Sequence, residues 1–102
     1  MTTRDDNEPA VLADGVERER LVLRPVGELD YFSARNLLDA LKRHLASYHT
    51  QIVLDLTSLS FCDSSGVLLA SSIGSLAADR GIGFELRRSN NQAGRVFDLL
   101  ST

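Results

Sequence analysis

Apolar residues recur along this chain with two different periods, and the alternation of those periods predicts the order of strands and helices. Four short apolar runs are typical of strands and lie at residues 10–13, 20–26, 52–56 and 83–87. Three longer segments repeat apolar residues every three or four positions, as helices with a buried face do, and lie at residues 33–48, 64–80 and 91–100. The pattern therefore predicts an α/β domain in which a mixed sheet of four to five strands carries three main helices.

The connection between the strand at 52–56 and the second helix has the most distinctive chemistry. It ends in Asp63, Ser64, Ser65 and Gly66. Asp and Ser are favoured N-caps because a side-chain oxygen can accept a backbone N–H of the first helical turn. The free N–H groups and the dipole of a helix N-terminus also favour a phosphate. Two interpretations follow: these residues only cap the helix, or one of the serines also carries a phosphoryl group.

Composition limits the classes of protein to consider. The chain has 102 residues, of which 43% are hydrophobic, and a net charge of −3, so one domain with one core is expected. Residues 1–9 are polar and predict a flexible N-terminal tail, and residues 10–102 are expected to form the domain. The charge gives no reason to expect nucleic-acid or membrane binding, and no apolar run approaches the ~20 residues of a membrane span. The single cysteine, Cys62, excludes an internal disulfide and suits the cytoplasm.

The sequence contains no recognisable catalytic, metal or cofactor motif. Gly-x-Ser-x-Gly, Cys-x-x-Cys and His-Glu-x-x-His patterns are all absent from it. His44 lies at the edge of the apolar stripe of the first helix, and His49 lies near its predicted end, where a partly charged imidazole suits the dipole. Neither histidine has partners at metal-site spacing, and Cys62 is interpreted as a small buried hydrophobe. We therefore expect no enzymatic activity, no metal and no cofactor.

Three sequence patterns resemble those of one family. Leu54-Asp-Leu-x-x-Leu-Ser-Phe-x-Asp-Ser-Ser-Gly66 is similar to the signature of the STAS family of anti-sigma factor antagonists, or anti-anti-sigma factors. Gly27-Glu-Leu-Asp30, followed by Ala34, resembles the turn before the first helix of the family, and Arg95-Val-Phe-Asp-Leu-Leu100 resembles its last helix. Because the patterns stand in the family's order and span nearly the whole chain, the resemblance implies a single STAS-like domain.

The resemblance also implies a phosphorylation switch. The acceptor in the family is the serine directly after the aspartate, which is Ser64 in this chain, and Ser65 is the alternative. The unphosphorylated form is expected to bind an anti-sigma factor that is also a serine kinase, and so to free a sigma factor. Phosphorylation would block this binding, and a PP2C-type phosphatase would reverse it. The residues expected to bind the partner are Gly27, Glu28, Leu29, Asp30, Tyr31, Ser58, Ser60, Asp63, Ser64, Ser65 and Gly66.

The sequence departs from the family pattern in two places. Leu68 stands where many members have a second glycine, a change that bears on the helix start or on the docking surface. Members also have a strand after the last helix, which is not found here. Either the protein lacks that strand or the sheet edge is open, and a monomer or weak homodimer is expected. The alternative, from another class of protein, is a non-enzymatic STAS scaffold module of a larger signalling complex without a phospho-switch. A STAS domain attached to a transporter is not favoured, because no membrane segment adjoins it.

Overall fold

The computed structural model describes residues 10–13, 19–88 and 91–101. The helices are α1 (Tyr31–His44), α2 (Ser64–Arg80) and α3 (Gln92–Ser101). The strands are β1 (Ala10–Ala13), β2 (Arg20–Arg24), β3 (Gly27–Leu29), β4 (Gln51–Asp55), β5 (Leu59–Cys62) and β6 (Gly83–Arg87). The predicted α/β class with three helices is confirmed, and the tail predicted at residues 1–9 lies outside the described residues.

The strands form two sheets. The larger sheet is mixed and has the order β1-β2-β4-β6, with β1 antiparallel to β2 and with β4 parallel to both β2 and β6. The smaller sheet is the parallel pair of β3 and β5. The sequence pattern did not predict this second sheet, because strands of three and four residues are too short to show a period.

One face of the larger sheet carries the hydrophobic core. α1 packs its buried stripe there, formed by Ala34, Leu37, Ala40 and Leu41. The sheet contributes the alternate residues of its two central strands, which are Leu21, Leu23, Ile52 and Leu54. α2 also lies against β4 and β6, and its weak amphipathicity reflects contact with neighbours on several sides. The core therefore holds α1 and α2 side by side on the same face of the sheet.

On the opposite face of the larger sheet, polar side chains form hydrogen bonds between neighbouring strands. Arg24 Nε donates to Asp55 Oδ2 at 3.0 Å, although Asp55 is only 4% exposed. The Thr57 backbone N–H also donates to Asp55 Oδ1, at 2.9 Å. Burial by itself raises the pKa of Asp55, but the hydrogen bonds from Thr57 and Arg24 outweigh burial, and the pKa is lowered. Asp55 is therefore a buried carboxylate that accepts hydrogen bonds from Arg24 and Thr57.

α1 is displaced from its predicted bounds at both ends. It begins at Tyr31 because Asp30, the N-cap, forms a reciprocal capping box with Ser33. Asp30 Oδ1 accepts the Ser33 N–H, and Ser33 Oγ accepts the Asp30 N–H, both at 2.9 Å. The helix ends at His44, four residues early, because the C-cap Leu45 is extended and the chain turns back on itself between Ala46 and His49.

His49 closes that turn, and its environment differs from the predicted one. Its ring Nδ1 accepts the Ala46 backbone N–H at 2.8 Å, and the residue is only 4% exposed. Burial lowers the pKa of His49, and the Ala46 N–H needs an unprotonated Nδ1 as its acceptor. The interpretation of His49 as a partly charged residue that favours the dipole of α1 is therefore wrong, because the buried ring acts as a neutral acceptor.

This environment predicts a loss of stability in mild acid. Unfolded His49 takes up a proton near its ordinary pKa of 6.5, whereas the folded residue does so only at lower pH. The stability that the neutral ring contributes is therefore complete above the unfolded pKa and declines as the pH falls from there toward the folded pKa. Urea denaturation from about pH 7.5 to about pH 5.5 should show a decline in the free energy of unfolding that is smaller in His49→Gln. The exposed His44→Gln is the matched control, and an equal decline in His49→Gln would contradict this account.

Candidate functional site

Ser64 is the first residue of α2, and its position is set by Asp63. Asp63 is the N-cap, and its Oδ1 accepts the Ser65 backbone N–H at 2.8 Å. The backbone C=O of Asp63 also accepts the Gly66 N–H at 3.1 Å. Ser64 is exposed and Ser65 is half-buried. Asp63 thus has the capping role expected of it, and Ser64 stands at the surface where the positive end of the helix dipole lies.

Close packing beneath Ser64 holds the start of α2 against the smaller sheet. A Cβ built on Gly66 would stand 2.1 Å from Cys62 Sγ and 3.2 Å from Leu29 Cδ2. Cys62 is buried, and burial raises the pKa of its thiol, which keeps it protonated. The Asp63 N–H donates to the Leu29 C=O at 3.3 Å. Gly66 is therefore needed for the close approach of the helix to both strands of this sheet.

The pairing of β3 with β5 brings together the two segments predicted to bind a partner. The Gly27 N–H donates to the Ser58 C=O at 3.3 Å, and Ser60 Oγ donates to the Gly27 C=O at 3.1 Å. Glu28 stands directly opposite Phe61 in the register of the two strands. Gly27 and Ser60 lie more than thirty residues apart in sequence. The pairing therefore brings two distant segments together next to the start of α2.

The predicted site residues differ in their exposure to solvent. The exposed ones are Glu28, Asp30, Tyr31, Ser58, Ser60 and Ser64. The half-buried ones are Gly27, Asp63 and Ser65. Leu29 and Gly66 are buried and lie beneath the surface, so they act on a partner only by positioning the residues above them.

Three exposed apolar residues that the sequence prediction did not assign to the site lie beside these positions. Phe32 is 74% exposed, Leu68 is 66% exposed and Phe61 is 44% exposed. The sequence carried a signal for Phe32, because it falls off the apolar stripe that begins at Ala34. Leu68 stands one helical turn beyond Ser64, on the same side of α2.

These residues define a single surface, which we call the Ser64 surface. Its members are Glu28, Tyr31, Phe32, Phe61, Ser64 and Leu68. The rings of Tyr31 and Phe32 are in edge contact, with centroids 5.5 Å apart. Tyr31 and Leu68, together with Ser65, line a shallow groove of ≈ 190 Å³ between α1 and α2. Exposed apolar side chains grouped in this way are typical of a surface that binds another protein.

The charges around the Ser64 surface are mainly negative. Glu28 and Asp30 are exposed, and Asp63 is adjacent to Ser64. Backbone and side-chain hydrogen bonds from Ser33 lower the pKa of Asp30, so this carboxylate stays ionised. Arg35 Nη1 donates to the Tyr31 hydroxyl at 3.1 Å at the side of the groove. A further negative group on Ser64 would therefore add to an acidic neighbourhood.

The described part of the chain shows no metal-binding cluster and no membrane-spanning helix. Across residues 10–13, 19–88 and 91–101, no group of three or more His, Cys, Asp or Glu side chains is placed to hold a metal ion. In the same part of the chain, no helix is both long enough and apolar enough to cross a membrane. The fold and the site together define a small α/β domain that presents a serine, at the start of a helix, within an apolar surface.

Comparison with known proteins identifies the family. The family model described as the STAS domain matches residues 10–101, and the chain therefore belongs to the STAS domain family. The fold is the STAS fold, and the resemblance found in the sequence is confirmed. Comparison with curated proteins finds no match.

Several solved structures resemble this chain. The anti-sigma factor antagonist SpoIIAA, in its unphosphorylated form, matches with a TM-score of 0.67 and 26% identity over 90% of this chain and 83% of its own. A structure of Mglu matches with a TM-score of 0.66 and 23% identity over 79% of this chain, and its native form matches with a TM-score of 0.65 and 19% identity over 80%. This chain spans only 19% and 23% of those two Mglu chains, so the likeness to Mglu is one of fold alone.

Proposed function

We propose that this protein is an anti-sigma factor antagonist controlled by phosphorylation of Ser64. Its unphosphorylated form binds an anti-sigma factor that is also a serine kinase, and this binding frees the sigma factor. The observation that carries the proposal is the exposed Ser64 at the first position of α2, within a surface that exposes Phe32, Phe61 and Leu68. Membership of the STAS family and the similarity to SpoIIAA support the role of antagonist.

The geometry supports a switch that alters binding without unfolding the domain. A phosphoryl group adds about −1.5 to −2 charges. At the first turn of α2 the helix dipole favours this charge, and the Ser64 side chain projects from the fold. A partner docked on the Ser64 surface would instead have to bury the phosphate beside Asp63 and against apolar side chains, which costs desolvation and repulsion. Phosphorylation should therefore weaken docking much more than it changes stability.

Three further features complete the proposal. The phosphate is removed by a PP2C-type phosphatase, which returns the protein to its binding form. The system is cytoplasmic, where the thiol of Cys62 stays reduced. No cofactor, nucleic acid or membrane takes part.

A second candidate is a STAS scaffold module without a phospho-switch. The observation that favours it is the occurrence of the same fold as a minor part of the longer Mglu chains. In that case the Ser64 surface would bind another part of an assembly, and its occupancy would not depend on a phosphate.

The site of phosphorylation can be determined directly. The Ser64→Ala variant, used as bait, should retain the kinase partner from a cell extract, and the recovered kinase is then incubated with ATP and the full-length protein. We expect mass spectrometry of the peptides to place about one phosphate per chain on Ser64 in the wild type and in Ser65→Ala, and none on that peptide in Ser64→Ala. Phosphate on Ser65 would reassign the acceptor, and stable large assemblies without phosphate would support the scaffold.

A further inference from the structure

The outer edge of β6 offers backbone groups for pairing. β6 pairs in parallel with β4, and within the described residues it pairs with no other strand. The Gly83 N–H donates to the Thr50 C=O, and the Arg87 C=O accepts from the Leu56 N–H. In a parallel pair the residues between these alternate in direction. Phe84 and Leu86 therefore direct their N–H and C=O groups away from β4, toward the open edge.

Both side-chain faces of this edge suit a second strand. Phe84 and Leu86 are half-buried and pack against the core from its margin, so part of their apolar surface is still exposed to solvent. On the opposite face, Glu85 and Arg87 stand two residues apart and form an ion pair at 2.5 Å. The edge therefore presents a negative and a positive side chain in alternation, with apolar side chains behind them.

A second copy of β6 has complementary charges in one antiparallel register. With Leu86 opposite Leu86 of the second copy, the two leucines exchange both backbone hydrogen bonds. Glu85 then lies directly opposite Arg87 of the second copy, and the symmetry repeats this contact. Opposite charges in such a close cross-strand pair are stabilising.

The other symmetric registers lack this complementarity. A register centred on Glu85 also satisfies the backbone, but it places the two Glu85 side chains directly opposite one another, which is destabilising. A register centred on Phe84 places Glu85 opposite Gly83, which offers no charge. A register centred on Arg87 places the two Arg87 side chains directly opposite one another, which is destabilising. Backbone direction and charge together therefore select the register centred on Leu86.

We propose that this chain forms a symmetric homodimer by antiparallel pairing of β6 with β6 of a second copy, centred on Leu86, with reciprocal Glu85–Arg87 ion pairs. The contact joins two four-stranded sheets into one continuous sheet. It uses the β6 edge and not the Ser64 surface, so the anti-sigma proposal and the dimer proposal can fail independently. A strand of five residues buries less area than the about 1,200–2,000 Å² of stable complexes, so the dimer is weak and forms only at high protein concentration.

Charge exchange between two variants tests the register. Glu85→Lys places lysine opposite arginine in its homodimer, and Arg87→Glu places glutamate opposite glutamate. A mixture of the two restores opposite charges at both positions of the mixed dimer. We expect sedimentation equilibrium, from micromolar to millimolar protein, to show a dissociation constant raised about tenfold or more for each variant alone and restored toward the wild-type value in the equimolar mixture. High salt should weaken the wild-type dimer.

Two controls distinguish this result from general charge effects. Glu28→Lys and Arg43→Glu make the same changes of charge at exposed positions on β3 and α1, and neither should alter self-association, alone or mixed. Circular dichroism and thermal melting of each variant show whether the fold is retained. The proposal is overturned if the wild type stays monomeric at millimolar concentration, if the single variants associate as the wild type does, or if the mixture shows no recovery. Stronger association of Glu85→Gln, which removes the like charges that face one another in the register centred on Glu85, would indicate that register and would equally overturn the proposal.

Discussion

Gly66→Ala should destabilise the folded protein by about 1–3 kcal/mol, as overpacking in a close-packed core does. The new methyl group would stand 2.1 Å from Cys62 Sγ, and Cys62 is buried with little room to move. The helix start must then shift away from β5, and Ser64 shifts with it. Thermal or urea unfolding measures the loss, and a lowering of the melting temperature by about 4–8 °C per kcal/mol is expected for a domain of this size.

Gly74→Ala is the matched control for this prediction, because it lies in the same helix. A Cβ at Gly74 would meet Phe84 Cδ2 at an ordinary contact distance of 3.5 Å. The methyl group therefore fits, and alanine should stabilise the helix by about 0.5–1 kcal/mol. The same substitution is thus expected to have opposite signs at the two positions.

The role of the sulfur atom can be isolated by a double-mutant cycle. Cys62→Ala removes Sγ and leaves the Cys62 Cβ position, which lies 3.8 Å from a Cβ at Gly66. The double variant Cys62→Ala with Gly66→Ala should therefore be less destabilised than the sum of the two single variants, by an interaction energy of about 0.5–3 kcal/mol. Additive effects would show that the contact with Cys62 Sγ does not set the position of α2.

Ser64→Asp should weaken binding to the kinase partner by about 100-fold relative to Ser64→Ala, which is equivalent to about 2.7 kcal/mol. The aspartate would place a charge within the proposed interface, beside Asp63 and against the apolar side chains of the Ser64 surface, whereas the alanine adds no polar group. Isothermal titration calorimetry or surface plasmon resonance with the purified partner measures the ratio. The thermal stabilities of the two variants should be close, because the helix dipole favours a negative group at this position.

Ser47→Asp provides the matched control for the charge. Ser47 is exposed in the turn beyond the opposite end of α1, so the same substitution there should leave the affinity within about twofold of the wild type, as expected for an exposed charge outside the interface. Equal affinities of Ser64→Asp and Ser64→Ala would contradict the switch while leaving the dimer of β6 untouched. A similar loss in Ser47→Asp would show that net charge, and not position, governs the interaction.

Leu68 is expected from the sequence to bear on either the start of α2 or the docking surface. α2 runs without interruption from Ser64 to Arg80, so the leucine does not disturb the start of the helix. Its side chain is largely exposed and lines the groove with Tyr31. We propose that Leu68 alters the docking surface and contributes to the choice of partner.

Much of the fold could be predicted because its signals are local. The bounds of α2 were predicted correctly from Ser64 to Arg80, since Asp63 supplies an N-cap and Gly81 adopts the left-handed conformation, with φ 68°, that ends a helix. The end of α1 was not predicted, because the periodic pattern continues past His44 while the contact between His49 and Ala46 ends the helix. The contact of the His49 side chain with the Ala46 backbone does not alter the spacing of apolar residues, so the sequence pattern cannot reveal it.

The chain by itself determined the class of fold, the capped start of α2 and the position of an exposed serine there, because hydrophobic period, capping and glycine conformation act over a few neighbouring residues. Only the tertiary structure decided that β3 lies beside β5 and places Glu28 opposite Phe61, and that Gly66 fits against Cys62. It also decided that Leu86 lies on β6, which among the described residues pairs with β4 alone. These contacts join residues distant in sequence. Their geometry depends on how the whole core closes, and no local pattern of residues specifies it.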